Sequence, residues 1–201
     1  MTTHRIEALT DGIFAIAMTL LVLTLALPEA GKGIAEVHNL LVGQSDKFFN
    51  YALSFVLLAI FWMRHHQQSH LIKRTDAGYL WINIFFLMFV ALMPFTTSLV
   101  GEYPYDPMAE VFFAINILIL GILLTWNWVY ATNRHRLVDN SLDSRSIALG
   151  KRKGLITTLV AVMAIGIAFV DPRICSFLYL LIPILQQVIE HRHRRMKGSS
   201  V

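Results

Sequence analysis

The chain has 201 residues, 56% of them apolar and 15% charged, with 17 Lys and Arg against 13 Asp and Glu and a mean hydropathy of +0.58. Water-soluble domains carry about 25% charge, so this balance excludes a soluble globular enzyme and specifies an integral membrane protein. The single cysteine, Cys175, excludes a disulfide scaffold and Cys-rich zinc or iron–sulfur sites. Crossing about 30 Å of hydrocarbon takes roughly 17–25 mostly apolar residues as helix. In chain order six runs qualify as spans of an all-α fold: Gly12 to Leu27, Phe48 to Met63, Tyr79 to Val100, Val111 to Tyr130, Leu155 to Val170 and Ile174 to Ile189. Several of these apolar cores extend only about 24 Å at 1.5 Å per residue, so the helices are expected to run on into polar flanks. The first run is not read as a secretory signal, because Glu7 and Asp11 precede it and no small-x-small cleavage site follows. Residues 1–201 are therefore read as a single six-helix membrane domain.

Basic loops stay on the cytoplasmic side of a membrane. All Lys and Arg except Lys32, Lys47 and Arg173 fall on the side that holds both termini, the second loop and the fourth loop. Both termini are therefore expected in the cytoplasm. Trp62, Tyr79, Trp81, Trp126, Trp128 and Tyr130 fall near that inner boundary, and Tyr103 and Tyr105 near the outer one, as interface aromatics do. The same charge bias accounts for the pI near 9.4 without a nucleic-acid partner, which would want basic residues interleaved with aromatics on a soluble surface. The outer side collects Glu29, Glu36, Asp46, Glu102, Asp106, Glu110 and Asp171, an acidic surface that would gather cations.

Ionisable groups at membrane depth are costly and mark function. Asp11 is the clearest. It stands about 120° round the helix from Arg5 and about 9 Å along it, so the two cannot pair simply and each must find partners on neighbouring helices. Snorkelling of Arg5 and an N-terminal cap from Thr10 or Asp11 is the competing, purely structural account. Pro94 and Pro183 fall inside the third and sixth spans and free backbone carbonyls there. His66 and His70 share the i, i+4 spacing of metal ligands, with His65 beside them, yet no intramembrane carboxylate completes a site; His65 or His66 is preferred as a hydrogen-bond partner for the base of the first helix. No G-x-S-x-G turn, Cys–His signal or phosphate-binding glycine loop is present, so an enzyme is not expected. The filter string TVGYG and the spaced arginines of a voltage sensor are absent too.

The first-helix string RIEALTDGIFAIAMTLLVLTLALP resembles the R-x-x-x-F-S-D signature helix of the transmembrane protein 175 family of potassium channels. Arg5 and Asp11 match; Leu9 stands for the family Phe and Thr10 for its Ser. The second span and its exit, FWMRHHQQSHLIKRTD, are similar to that family's second helix. The resemblance implies a homotetramer in the cell membrane whose four first helices line a central pore for potassium ions, with no bound cofactor. Carried over by distance from Asp11, the apolar rings that constrict this pore fall on Ile16, Leu20 and Leu23, and Thr19 supplies a hydroxyl between them for ion selectivity. These four follow i, i+3, i+4, i+7 and share one helical face, which Gly12 continues. Periodicity alone does not find a pore here, because the helix is apolar all round.

Asp11 lies about 140° round the helix from Ile16 and is expected to face neighbouring helices. A structural and gating network of Arg5, Thr10 and Asp11 with His65 or His66 and with Asn83 is the resulting expectation. The competing function is a proton-coupled cation carrier or proton leak that uses Asp11 and the histidines of the second helix.

Overall fold

The computed structural model describes residues 3–25, 38 and 41–198. Leu27, Glu29, Lys32 and Glu36, invoked above, lie outside the described residues. Among the described residues seven α-helices follow one another: α1 (Thr3–Leu20), α2 (Ser45–Ser69), α3 (Ala77–Glu102), α4 (Pro107–Thr132), α5 (Ser144–Ala168), α6 (Pro172–Leu178) and α7 (Leu181–Gly198). Past Leu20 the first helix tightens into a 3-10 segment, Leu21–Leu25. Among the described residues, extended pairing is confined to one bridge between Ile72 and Val138.

The helix starts are written in the sequence. Asp76, Asp106 and Asp143 each accept a hydrogen bond from an orphan first-turn amide, those of Tyr79 at 2.9 Å, Met108 at 2.8 Å and Arg145 at 3.2 Å. Such caps satisfy donors that the helix itself leaves open. Pro107 occupies the first turn of α4, where its missing N–H costs nothing.

Helix α4 forms the centre. It packs most extensively on α3 and α5, while α1 lies against α3 and α2. Phe14, Leu57, Phe86, Val90, Met93, Ile117 and Leu120 interlock in the shared core. The α4–α5 contact is close because Gly150 and Gly154 bring the α5 backbone onto Trp128 and Thr125, where a Cβ at either glycine would overlap those side chains. Small residues are the usual means of close helix approach in membranes.

Among the described residues five helical segments are long and apolar enough to cross a membrane: Thr3–Leu25, Ser45–Ser69, Ala77–Glu102, Pro107–His135 and Ile174–Arg192. Of the expected spans, the fifth falls on α5, whose apolar stretch runs only from residue 154 to 168 behind Lys151, Arg152 and Lys153. The sixth is two helices, α6 and α7, broken at Tyr179 and Leu180. Pro183 accordingly lies in the first turn of α7 rather than inside a helix, a position where no intrahelical bond needs its amide.

The two ends of the bundle differ. At one end the amides of Lys73 and Arg74 donate to the Leu137 carbonyl at 2.8 and 3.2 Å, and Ile6, Ile72, Tyr79, Leu137 and Val138 form a small second core. Asp76 ties this end together. Beyond its capping bond, its carboxylate accepts from the Tyr130 hydroxyl at 3.0 Å and pairs with Arg136 at 2.9 Å; Arg136 in turn lies over the Tyr130 ring. The start of α1, the exit of α2 and the basic loop after α4 share this end, and Lys47 pairs with Glu102 at the opposite one.

Three side chains sit deeper than their sequence context suggests. Tyr79 and Trp128 belong to the core instead of the membrane interface; the Trp128 indole N–H is satisfied by the Ile147 carbonyl at 3.0 Å. Glu110, expected on the outer acidic surface, is only 2% exposed. Its place on α4 explains this: Glu110, Phe113, Ala114 and Ile117 follow the i, i+3, i+4, i+7 rule and form one buried stripe.

Candidate functional site

Helix α1 has two faces with different fates. Ile6, Thr10, Phe14, Ala17 and Leu21 are buried against the rest of the chain, with the Phe14 ring 6.0 Å from that of Phe86. The other face is bare. Ile16 is 60% exposed, Leu20 42% and Leu23 68%, and at Gly12 a Cβ would meet nothing within 4 Å. Only 22% of the apolar window of this segment is buried within the chain, against 56% for the span built on α4. A helix this apolar and this little covered by its own chain faces lipid or further protein.

The 3-10 segment alters how the exposed residues line up. Four α-helical residues turn about 40° past a full circle, whereas three 3-10 residues close the circle. Ile16 and Leu20 are thus offset by about 40°, and Leu23, most of whose step from Leu20 lies in the 3-10 segment, stands nearly straight above Leu20. The Thr19 hydroxyl donates to the Ile16 carbonyl at 2.8 Å. With its proton spent on the backbone, the oxygen presents lone pairs to whatever shares this face.

Near the start of α1 two polar contacts sit one turn apart on α2. The Trp62 indole N–H donates to Asp11 Oδ1 at 2.8 Å. His65 Nε2 lies 2.7 Å from Asn83 Oδ1. Asn83 also donates from Nδ2 to the Tyr79 carbonyl at 2.8 Å and accepts from Asn127 Nδ2 at 3.0 Å. Those two bonds fix its amide orientation, so His65 must donate from Nε2, and Nδ1 accepts from the Ser69 hydroxyl at 3.3 Å. Ring stacking on Phe86, 5.6 Å away and nearly parallel, completes the seat of His65. His66 turns elsewhere: it stacks on Trp62 and its Nε2 lies 3.0 Å from that of His70.

The expected members are therefore gathered in part. Asp11 meets Trp62, and His65 meets Asn83. Thr10 is buried with its hydroxyl oxygen unpartnered, and Arg5 is exposed and joins none of the hydrogen bonds or ion pairs among the described residues. Trp62 was legible only as an interface aromatic, although its spacing of three residues from His65 places both on one face of α2.

Besides Lys153, which is buried and paired with Glu190, two more buried charges are not apparent from the sequence. Arg64 is 5% exposed and reaches across from α2 to the Thr157 hydroxyl on α5 at 3.2 Å, a hydroxyl that also accepts from Gln186 of α7 at 3.1 Å. Charge counting treats such a residue as part of a basic loop. The second is Glu110. Among the described residues no three His, Cys, Asp or Glu side chains converge as a metal cluster.

Similar proteins share both helix pattern and fold. The family model described as endosomal/lysosomal potassium channel TMEM175 matches residues 5–94. A protein of Chamaesiphon minutus named as a potassium channel is 34% identical over 151 residues, covering 72% of this chain and 73% of its own length. Another from Streptomyces collinus, also named a potassium channel, is 28% identical over 171 residues, 83% of this chain and 82% of that protein. The crystal structure of a lysosomal potassium-selective channel TMEM175 homolog from Chamaesiphon minutus superposes with a TM-score of 0.75 at 26% identity, covering 95% of this chain and 97% of that one. With a relative this similar across most of both lengths and the whole bundle reproduced, the chain belongs to the TMEM175 channel family.

Proposed function

We propose that the protein is a potassium-permeable cation channel, a homotetramer in which four copies of α1 surround the conduction path. The observation that carries this reading is the bare face of α1. Gly12, Ile16, Thr19, Leu20 and Leu23 lie along one side of a membrane-spanning helix that its own chain leaves uncovered. One such chain cannot enclose a path, but four faces brought round an axis do. Rings of Ile16, Leu20 and Leu23 would expel water from a narrow tube and raise the barrier to a hydrated ion. The near-eclipsed Leu20 and Leu23 make the longest dry stretch, and outward rotation or splay of the helices wets it. Thr19, with lone pairs free, helps a partly dehydrated potassium ion through the ring.

Asp11 anchors α1 to α2 through Trp62, and the His65–Asn83 pair holds α2 on α3, so the base of the gate helix is fixed while its upper half moves. The positive-inside rule supports a cytoplasmic location for the basic end of the bundle, and the single six-helix unit supports a prokaryotic channel of the cell membrane. The α5 stretch and the α6–α7 pair complete six crossings per subunit.

Ion flux and reversal potential in proteoliposomes under potassium, sodium and proton gradients test this reading. Leu20→Ala should raise potassium flux several-fold, and Thr19→Val should move the reversal potential toward that of a non-selective pore. Flux that saturates and follows only the pH gradient, unchanged by Leu20→Ala, would identify a proton-coupled carrier instead.

A further inference from the structure

At the end of the bundle opposite the basic loops, Glu110 lies in the first turn of α4 with one carboxylate oxygen lacking any hydrogen-bond partner. Around it are neutral oxygens. Ser176 Oγ of α6 stands 3.3 Å from Glu110 Oε1 and 3.4 Å from Asn50 Oδ1 of α2. Asn50 is 7% and Ser176 9% exposed. Among the described side chains no Lys or Arg pairs with Glu110: their ion pairs are Lys47–Glu102, Arg136–Asp76 and Lys153–Glu190. A carboxylate withdrawn from water without a counter-charge is among the most costly groups in a protein.

The spacing of these oxygens is informative. A hydroxyl bonded to a carboxylate normally closes to about 2.5–2.7 Å, well inside the observed separations. Oxygens around a calcium-sized cation, at about 2.4 Å from the ion, stand about 3.4 Å apart along an octahedral edge; around magnesium the edge is about 2.9 Å. Room and access are present as well. Glu110, Asn50 and Ser176 line a cavity of about 10 Å³, enough for one small occupant. The same three residues also line a cleft of about 180 Å³, whose wall includes the exposed carboxylate of Asp46.

We propose that Glu110, Asn50 and Ser176 form a binding site for a hard, calcium-sized cation that ties α4, α2 and α6 together, with Asp46 attracting the ion into the cleft and water completing its shell. With a single buried carboxylate in the shell, the affinity belongs to the weak class of calcium sites, with a dissociation constant of about 0.1–1 mM. The site is separate from α1 and independent of what the pore conducts.

The test is thermal unfolding of the full-length protein in detergent with calcium, magnesium or potassium chloride at matched ionic strength. Ten millimolar calcium should raise Tm by about 3–10 °C, with magnesium giving less than half of that. Glu110→Gln should abolish the calcium-dependent part, whatever it does to the basal Tm. Ser176→Ala should weaken calcium about five-fold, and Asn50→Asp, which adds a charge to the shell, should tighten it about ten-fold; these two keep the test valid if Glu110→Gln does not fold. Equal shifts with calcium and magnesium, or a calcium shift that survives Glu110→Gln, would overturn the proposal. So would the absence of any calcium effect on the wild type; a raised basal Tm in Glu110→Gln would then show that the carboxyl is buried in its protonated form.

Discussion

Asp76 shows how much one side chain can hold. Burial alone would raise its carboxyl, but the Tyr79 amide, the Tyr130 hydroxyl and the Arg136 guanidinium outweigh burial and keep it below the ordinary 3.8. A depressed carboxyl contributes stability that is present above its unfolded pKa and disappears as the pH falls through the folded one. Thermal melts between pH 6 and pH 3 should therefore show an acid limb in the wild type that Asp76→Asn flattens. Removing the carboxylate also leaves the Tyr130 hydroxyl and Arg136 without their shared acceptor, so the variant should already be less stable at neutral pH. Asp11 and Trp62 form a second local unit. The bond joins a charged acceptor to an indole donor at a partly open position, so a double-mutant cycle of Asp11→Ala and Trp62→Phe should give a coupling of about 1 kcal/mol in unfolding. A coupling near zero would mean that α1 is held at its base by the Phe14 and Ile6 contacts alone.

At the scale of elements, the contact between α4 and α5 depends on the absence of side chains. Gly154 faces Thr125 so closely that any Cβ there collides with it. Gly154→Val should push α4 and α5 apart, lowering Tm by several degrees, since overpacking costs typically 1–3 kcal/mol. Gly166, where a Cβ would meet nothing within 4 Å, supplies the control: Gly166→Ala should leave Tm unchanged or slightly raised. The 3-10 segment at Leu21–Leu25 is the other decisive local feature. It was invisible to a reading based on a uniform 100° step, because the sequence LVLTL carries no glycine or proline to announce a change of pitch. Its effect is to put Leu23 over Leu20, which the α-helical count would set off by about 60°.

For the whole molecule, the partition of α1 into one face that packs on its own chain and one that does not sets what assembly must do. If four copies meet along the bare face, cysteines placed there fall within reach of each other. In a Cys175→Ser background, Leu23→Cys should form disulfide-linked dimers under mild oxidation, whereas Val162→Cys, also exposed but on α5, should not. Equal cross-linking at both positions would point to random collision in the membrane and against a central axis lined by α1. The asymmetry of the two bundle ends has a physical root as well. Loops at one end are tied by backbone bonds and the Asp76 cluster, giving α1, α3 and α4 a common base.

The sequence by itself determined that the chain is helical and membrane-embedded, and that Ile16, Thr19, Leu20 and Leu23 share one face of α1, because hydropathy and i, i+4 spacing are local properties. A family signature in Arg5 and Asp11 could be recognised for the same reason. Only the tertiary structure decided which face of α1 is left bare, since a helix that is apolar all round looks alike from every side until its neighbours are in place. It likewise decided that Asp11 meets Trp62 while His65 meets Asn83, and that Arg64 and Glu110 are buried. A charge near a helix end reads as solvent-facing in one dimension, and whether water reaches it depends on the packing of helices far away in the chain.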